Sequence, residues 1–187
     1  NSMTELELKW LGIGAVAVVL GVLVLLLSKF IKNWLTPYPL DEGLTKDDNP
    51  ALGLATAGYF GGVTIIYLGA TVGPGEVIPP LGRLATQMGI DLLYAVAGVL
   101  VLNLSRVVVD RLVLTRFSTA KEILQDRNAG TGAVEAGVLI ASALVIAGAI
   151  HGYGSWLTAV VFYVLGQVAL VLFALFYQWI TRYDIHK

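Results

Sequence analysis

The sequence predicts an all-α, polytopic membrane bundle of five transmembrane helices containing a parallel tandem two-helix repeat. Three observations lead there. Apolar residues make up 57% of the 187-residue chain and charged residues only 13%, where a soluble domain carries about 25% charge. Five apolar stretches reach the roughly 20 residues a spanning helix needs: Leu11–Ile31, Ala51–Val72, Gly89–Val109, Ala133–Ile150 and Trp156–Ile180. The segment Asn49–Gly58 also superimposes on Asn128–Gly137, matching Asn49 with Asn128, Gly53 with Gly132, Ala57 with Ala136 and Gly58 with Gly137. The register continues with Gly69 on Gly148, Ala70 on Ala149 and Gly73 on Gly152.

The first stretch is too long for a signal-peptide core and has no small-residue cleavage site, so it reads as a retained span. Asn1-Ser2-Met3 reads as a cleavage scar ahead of it. The second stretch follows Asp48-Asn49-Pro50, with Asn49 as N-cap and proline at the first helical position. Asn128 caps the fourth stretch in the same way. Between the third and fourth, Thr119-Ala-Lys-Glu122 has the capping-box pattern and precedes Ile123 and Leu124, which predicts a short helix near the membrane surface. The segment Thr71–Leu84 is rich in glycine and proline and is expected to be irregular, covering the outer mouth of the bundle. The chain thus divides into a first helix with its linker (1–46), a first two-helix unit (47–117) and a second unit with the tail (118–187). One span separates the repeated helices, so the copies point the same way, unlike an inverted repeat.

Charge sets the expected orientation. Ten of the 12 basic residues flank one side: Lys29, Lys32 and Lys46 after the first span, Arg106, Arg111, Arg116, Lys121 and Arg127 after the third, and Arg182 and Lys187 in the tail. Only Lys9 and Arg83 lie opposite, so the N-terminus is expected outside and the C-terminus in the cytoplasm of a bacterial inner membrane. Trp10, Trp34, Trp156 and Trp179 fall at the boundaries, where tryptophan anchors. With no cysteine, thiolate nucleophiles and thiolate metal sites are excluded, and two histidines far apart form no imidazole site. A net charge of −1 speaks against nucleic acid as partner. Gly130–Gly137 lacks the Gly-Lys-Ser/Thr ending of a nucleotide loop and opens a membrane helix. No catalytic set, cofactor motif or metal spacing emerges, and the expectation is that the protein is not an enzyme.

Small residues at four-residue spacing let helices approach closely in lipid. Gly53, Ala57 and Gly61 form one such row in the second span, with Gly58 and Gly62 beside it; Gly132 with Ala136 and Gly137 with Ala141 follow in the fourth. These residues are expected to pack the repeated helices at the centre of the bundle or across a dimer interface. A polar group stands out as well. At about 100° per residue, Asn103, Arg106 and Asp110 fall within about 60° of one another, and Glu135 near the start of the fourth span shares a face with Ser142. An unpaired charge at the centre of a spanning helix costs on the order of 2.5–3.5 kcal/mol, so an Arg106–Glu135 pair is expected. That pair is either a structural tie between two helices or an inner gate or proton-linked site. Glu135 aligns with Thr56, so its charge breaks the symmetry of the repeat. Asp91 and His151 are explained by favourable helix-end electrostatics, and Tyr163 with Gln167 share a face of the fifth span.

The Asp48–Gly58 run, then Arg127-Asn128 and Glu135-Ala-Gly137, resembles the YjfL-type bacterial membrane family, catalogued as domain of unknown function number 350. The resemblance covers roughly Asp47 to Gly152. It implies a small polytopic inner-membrane protein with tandem copies of the domain and no catalytic residues to carry over. It also implies a role in envelope stress or membrane homeostasis. The expectation is therefore a non-enzymatic, homo-oligomeric membrane module whose basic segment 111–127 meets a cytoplasmic protein or anionic lipid. The alternative is an ion or small-solute channel or transporter using Asn103, Arg106, Asp110 and Glu135 as an inner polar constriction.

Overall fold

The computed structural model describes residues 4–36, 40–72, 80–112, 119–151 and 155–180. Seven helices form among them: α1 (Glu5–Leu35), α2 (Leu40–Thr45), α3 (Pro50–Thr71), α4 (Leu81–Leu112), α5 (Thr119–Leu124), α6 (Ala129–Ile150) and α7 (Trp156–Ile180). Five of these, all but α2 and α5, are long and apolar enough to cross a membrane. No strand occurs among the described residues.

α1, α4 and α6 begin ahead of their apolar stretches, and local chemistry explains the first two. A capping box starts α1 at Glu5: the Thr4 hydroxyl accepts from the Glu7 amide, and the Glu7 carboxylate accepts from the Thr4 amide. The Pro80 carbonyl accepts from the Arg83 and Leu84 amides, so α4 is already helical at Leu81, inside the stretch expected to be irregular. Asp91 consequently lies within α4 rather than opening it, and its carboxylate accepts from the Gln87 amide at 2.7 Å. Residues 73–79 of the expected outer loop lie outside the described residues.

The turns into α3 and α6 are built alike. A six-residue helix precedes each, then a residue in the left-handed region (Asp48, φ 44°; Arg127, φ 49°), then a capping asparagine. Asn49 Oδ1 accepts from the Leu52 amide; Asn128 Oδ1 accepts from Gly130 and Thr131. The amide groups of the two caps then diverge. Asn49 is buried and donates to the Ile123 carbonyl of α5 at 2.8 Å, whereas exposed Asn128 donates to the Glu122 carboxylate at 3.1 Å. α2 has no counterpart among the sequence-based expectations; Leu40 anchors it in a small apolar cluster with Ala51, Leu52, Ala55 and Ile123. α5 occurs where expected, but the Thr119 hydroxyl contacts Asp110 (3.4 Å) instead of closing a capping box.

α3 and α6 form the most extensive helix pair. Gly132 meets Ala51, Gly58 meets Ala136, Gly62 meets Ala143 and Gly69 meets Ala147. The contact positions rise together in both helices, so the pair runs parallel. At Gly58 and Gly132 a Cβ would collide with the opposing backbone, so only glycine permits the approach. The other expected packing row is not in this interface: Gly53, Gly61 and Gly137 have open space where a Cβ would stand, and Ala57 is exposed. Adjacent rows on one helix point in different directions, and only the Gly58–Gly62 row turns inward. Ala141 is half-buried. α1 and α4 flank the pair around Tyr59, Val63, Ile66, Val99, Leu102, Leu139 and Ile146, while α7 stands at the edge against α6.

Gly58→Ala and Gly132→Ala are expected to lower the melting temperature in mild detergent by the equivalent of about 1–3 kcal/mol. Gly53→Ala and Gly137→Ala should leave it unchanged or raise it by up to about 1 kcal/mol, because they only improve helix propensity. Equal losses at all four would place the interface elsewhere. By the same measurement Asn49→Ala should cost about 1–2 kcal/mol, and more than Asn128→Ala, since it also strands a buried carbonyl.

Candidate functional site

The polar side chains gather near the end of the bundle that carries α2 and α5. Glu135 is in the second turn of α6, six residues from its start, and Arg106 is six residues from the end of antiparallel α4; both distances correspond to about 9 Å along the axis. At that common level Arg106 Nε and Glu135 Oε1 form an ion pair at 2.8 Å. Glu135 is 4% exposed and Arg106 22%, so the carboxylate is the buried member and the guanidinium lies toward the rim. Asp110, one turn further along α4, stands 4.0 Å from Arg106 and receives the Thr119 hydroxyl. Arg106 thus bridges an inner and an outer carboxylate.

A second group enters from α1. Ser28, Lys32 and Thr36 follow one another at helical spacing and all three are buried. Lys32 is 3% exposed, with its ammonium 4.5 Å from the centre of the Tyr59 ring, a cation–π contact. The Tyr59 hydroxyl donates to the Ser28 carbonyl at 3.1 Å and accepts from the Asn103 amide at 3.2 Å. Asn103 donates also to the Val99 carbonyl, one turn back. Lys32 and Arg106 are both among the charges that act on Glu135.

The structure thus brings together Asn103, Arg106, Asp110 and Glu135 from the expected group, on α4 and α6. It does not bond Ser142 to them: that residue is fully buried, and its hydroxyl has no partner among the described residues. Nor is Lys32 the loop residue that the charge count assumed. It is a helical, buried member of the cluster, and the four-residue spacing of Ser28, Lys32 and Thr36 was the available signal. Thr56, the counterpart of Glu135 in the alignment, is buried with a partnerless hydroxyl. On the far side of α4, Ser105 and the Tyr163 hydroxyl are 2.9 Å apart, tying α7 to α4. Gln167 is buried beside them with neither amide atom partnered. No group of three His, Cys, Asp or Glu side chains converges among the described residues.

This arrangement can hold charge in a place poor in water, tie four helices together, and bind or exchange a proton. Removing one member of the Arg106–Glu135 pair leaves the other buried without compensation, which costs roughly 3–5 kcal/mol. Glu135→Leu and Arg106→Met are each expected to reduce folding yield and thermal stability strongly. The double variant Arg106→Met/Glu135→Leu should recover much of the loss. Additive losses in this cycle would show that the two side chains do not depend on each other.

A family model described as Domain of Unknown Function (DUF350) matches residues 7–150. The match takes in α1 through α6 and leaves α7 outside it. No curated protein and no solved structure matches the chain significantly. The matched span covers every helix that contributes to the buried ion cluster, and on it the chain belongs to the DUF350 family.

Proposed function

We propose that this protein is a non-enzymatic, homo-oligomeric module of the bacterial inner membrane that serves membrane homeostasis or the response to envelope stress. Its N-terminus lies outside and its C-terminus in the cytoplasm. The observation that carries this reading is the placement of the polar chemistry. The ion cluster and the two short helices share one end of the bundle, and the cluster binds α1, α3, α4 and α6 to one another there. An end stiffened in this way suits a docking face. It presents exposed Lys46, Arg111, Lys121 and Arg127 to the aqueous side. The basic segment 111–127, whose residues 113–118 lie outside the described set, would meet a cytoplasmic protein or anionic headgroups, at about 1 kcal/mol per basic residue near an anionic surface.

A second reading, an ion or small-solute channel or transporter, draws on the buried charges and partnerless polar atoms around Glu135. Against it, two crevices formed by the described residues are lined almost wholly by apolar side chains of α4, α6 and α7. A polar pathway would then have to form between several chains.

Reconstitution separates the two. Liposomes containing the purified protein should pass potassium, sodium or polyamines no faster than protein-free vesicles, while nanodisc samples contain more than one copy. Solute flux that Glu135→Gln abolishes, with the variant still folded, would replace the docking reading with the transport one.

A further inference from the structure

We propose that a second copy of this chain docks its α6 on the free face of α3, repeating between chains the contact that α3 and α6 make within one. This contact would build the homo-oligomer of the function proposed above and rests on that reading. The two units are alike in build. In the register that matches Asn49 with Asn128, α2 and α5 have six residues each, and α3 and α6 have 22 each. Their pairing is heterologous all the same, because α3 and α6 meet through different faces. α3 contributes Ala51, Gly58, Gly62 and Gly69, and α6 answers with Gly132, Ala136, Ala143 and Ala147. In that register the α6 positions correspond to Gly53, Ala57, Thr64 and Leu68 of α3, about 130° around the helix from its own contact row. Ala57, Thr64 and Leu68 are exposed, and a Cβ on Gly53 would stand in open space. The α3 positions correspond in turn to Gly130, Gly137, Ala141 and Gly148 of α6, of which all but half-buried Ala141 are exposed.

Each unit therefore leaves unused the face that its counterpart uses. The occupant is identified by the contact already present in the fold, where the equivalents of both free faces are engaged with each other, and not by small side chains alone. Carried over to two chains, Gly58 on Ala136 becomes Gly137 on Ala57, and Gly62 on Ala143 becomes Ala141 on Thr64. The caps extend the correspondence. Buried Asn49 reaches across to the Ile123 carbonyl of the other unit at 2.8 Å, whereas exposed Asn128 turns back on Glu122 of its own unit. Leu44 occupies the position that matches Ile123, so Asn128 would donate to the Leu44 carbonyl of the second copy. One tie is not reproduced. The exposed Arg127–Asp47 pair, 4.0 Å apart, would become Asp48 against Asp126. The contact between chains is thus the weaker of the two and separates before a chain unfolds.

The angle between the faces sets how such contacts propagate. Heterologous contacts close into a ring when the rotation permits, and otherwise run on as an open filament. On α3 and on α6 alike the used and free faces are about 130° apart, near the roughly 135° of an eight-sided ring, so about four chains would close with α3 and α6 alternating. The other spans leave room for it. α1 and α4 reach α3 through Tyr59, and α4 and α7 reach α6 through Glu135 and Val145; all three residues lie on the wide arc, outside the ring. The narrow arc carries exposed Leu54, Ile140 and Leu144, so the ring would enclose an apolar surface suited to lipid rather than to ions.

The chain has no cysteine, so disulfide cross-linking in the membrane tests the contact without background. A Cβ on Gly62 would stand 3.2 Å from that of Ala143, and disulfides join β-carbons about 3.5–4.5 Å apart, so the equivalent positions 141 and 64 suit a bridge. Full-length Thr64→Cys and Ala141→Cys chains, co-expressed and oxidised, should give a linked dimer. Neither variant should link when expressed alone, because a heterologous contact never sets a position against itself. Adding Ala57→Leu to the first chain should reduce the dimer at least tenfold. The double variant Thr64→Cys/Ala141→Cys should give a ladder that stops at about four chains, and a ladder without an end overturns the ring. Cross-linking of either single variant, or an equal yield when Leu104→Cys on exposed α4 replaces Thr64→Cys, overturns the contact. So does a nanodisc sample that holds several copies without the mixed link, although the homo-oligomeric reading then stands. One copy per nanodisc overturns both.

Discussion

The close approach of α3 and α6 is the constraint from which the remaining geometry follows. In lipid, two helices gain little by hiding apolar side chains from a solvent that is itself apolar, so association depends on contact between surfaces that fit. Glycine and alanine at facing positions bring the two backbones together along their length, from Gly132 on Ala51 to Gly69 on Ala147. That contact sets how each helix is rotated about its axis. With Gly58 against Ala136, Tyr59 is turned toward α1 and Glu135 toward α4. The Tyr59–Ser28 and Arg106–Glu135 ties follow from that rotation.

The second constraint is the scarcity of water around the spans. Polar groups there must find partners in the protein, and α1 shows how. It buries little apolar surface, but the hydroxyls of Tyr59 and Tyr67 on α3 donate to its carbonyls at Ser28 and Ala17, and Lys32 lies on the Tyr59 ring. Two phenols thus hold a helix that packing holds weakly. α7 is attached more sparingly, by the Ser105–Tyr163 contact and by Val145 packed close on Gly166. The family match also ends before α7, so the helix that the ion cluster does not need is the one outside it.

Much of this could be read from the residues, for identifiable reasons. Asn49 and Asn128 were recognisable as caps because capping is local: a side chain, its own backbone and the next turn suffice. The Arg106–Glu135 contact was foreseeable because a membrane charge demands a counter-charge and few candidates lay at a matching depth. Lys32 escaped because a lysine three residues from the end of a span reads as a flank, and nothing local says that Tyr59 will cover it. The choice between two neighbouring rows of small residues on α3 was equally undecidable in sequence. Both rows have the spacing that permits close packing, and only the partner's position selects one.

The sequence by itself indicated the class of the protein, the number of its spans, the asparagine caps of two of them and a partner for Arg106 in Glu135. These properties follow from hydropathy, from local hydrogen bonding and from the cost of an unpaired ion in lipid. Tertiary structure alone decided that Gly58 and Gly132 face inward while Gly53, Gly61 and Gly137 do not. It alone buried Lys32 against the Tyr59 ring and left Ser142 apart from the cluster. Those outcomes depend on the rotation of each helix about its axis, a single angle that close packing sets and that periodicity along one chain segment leaves free.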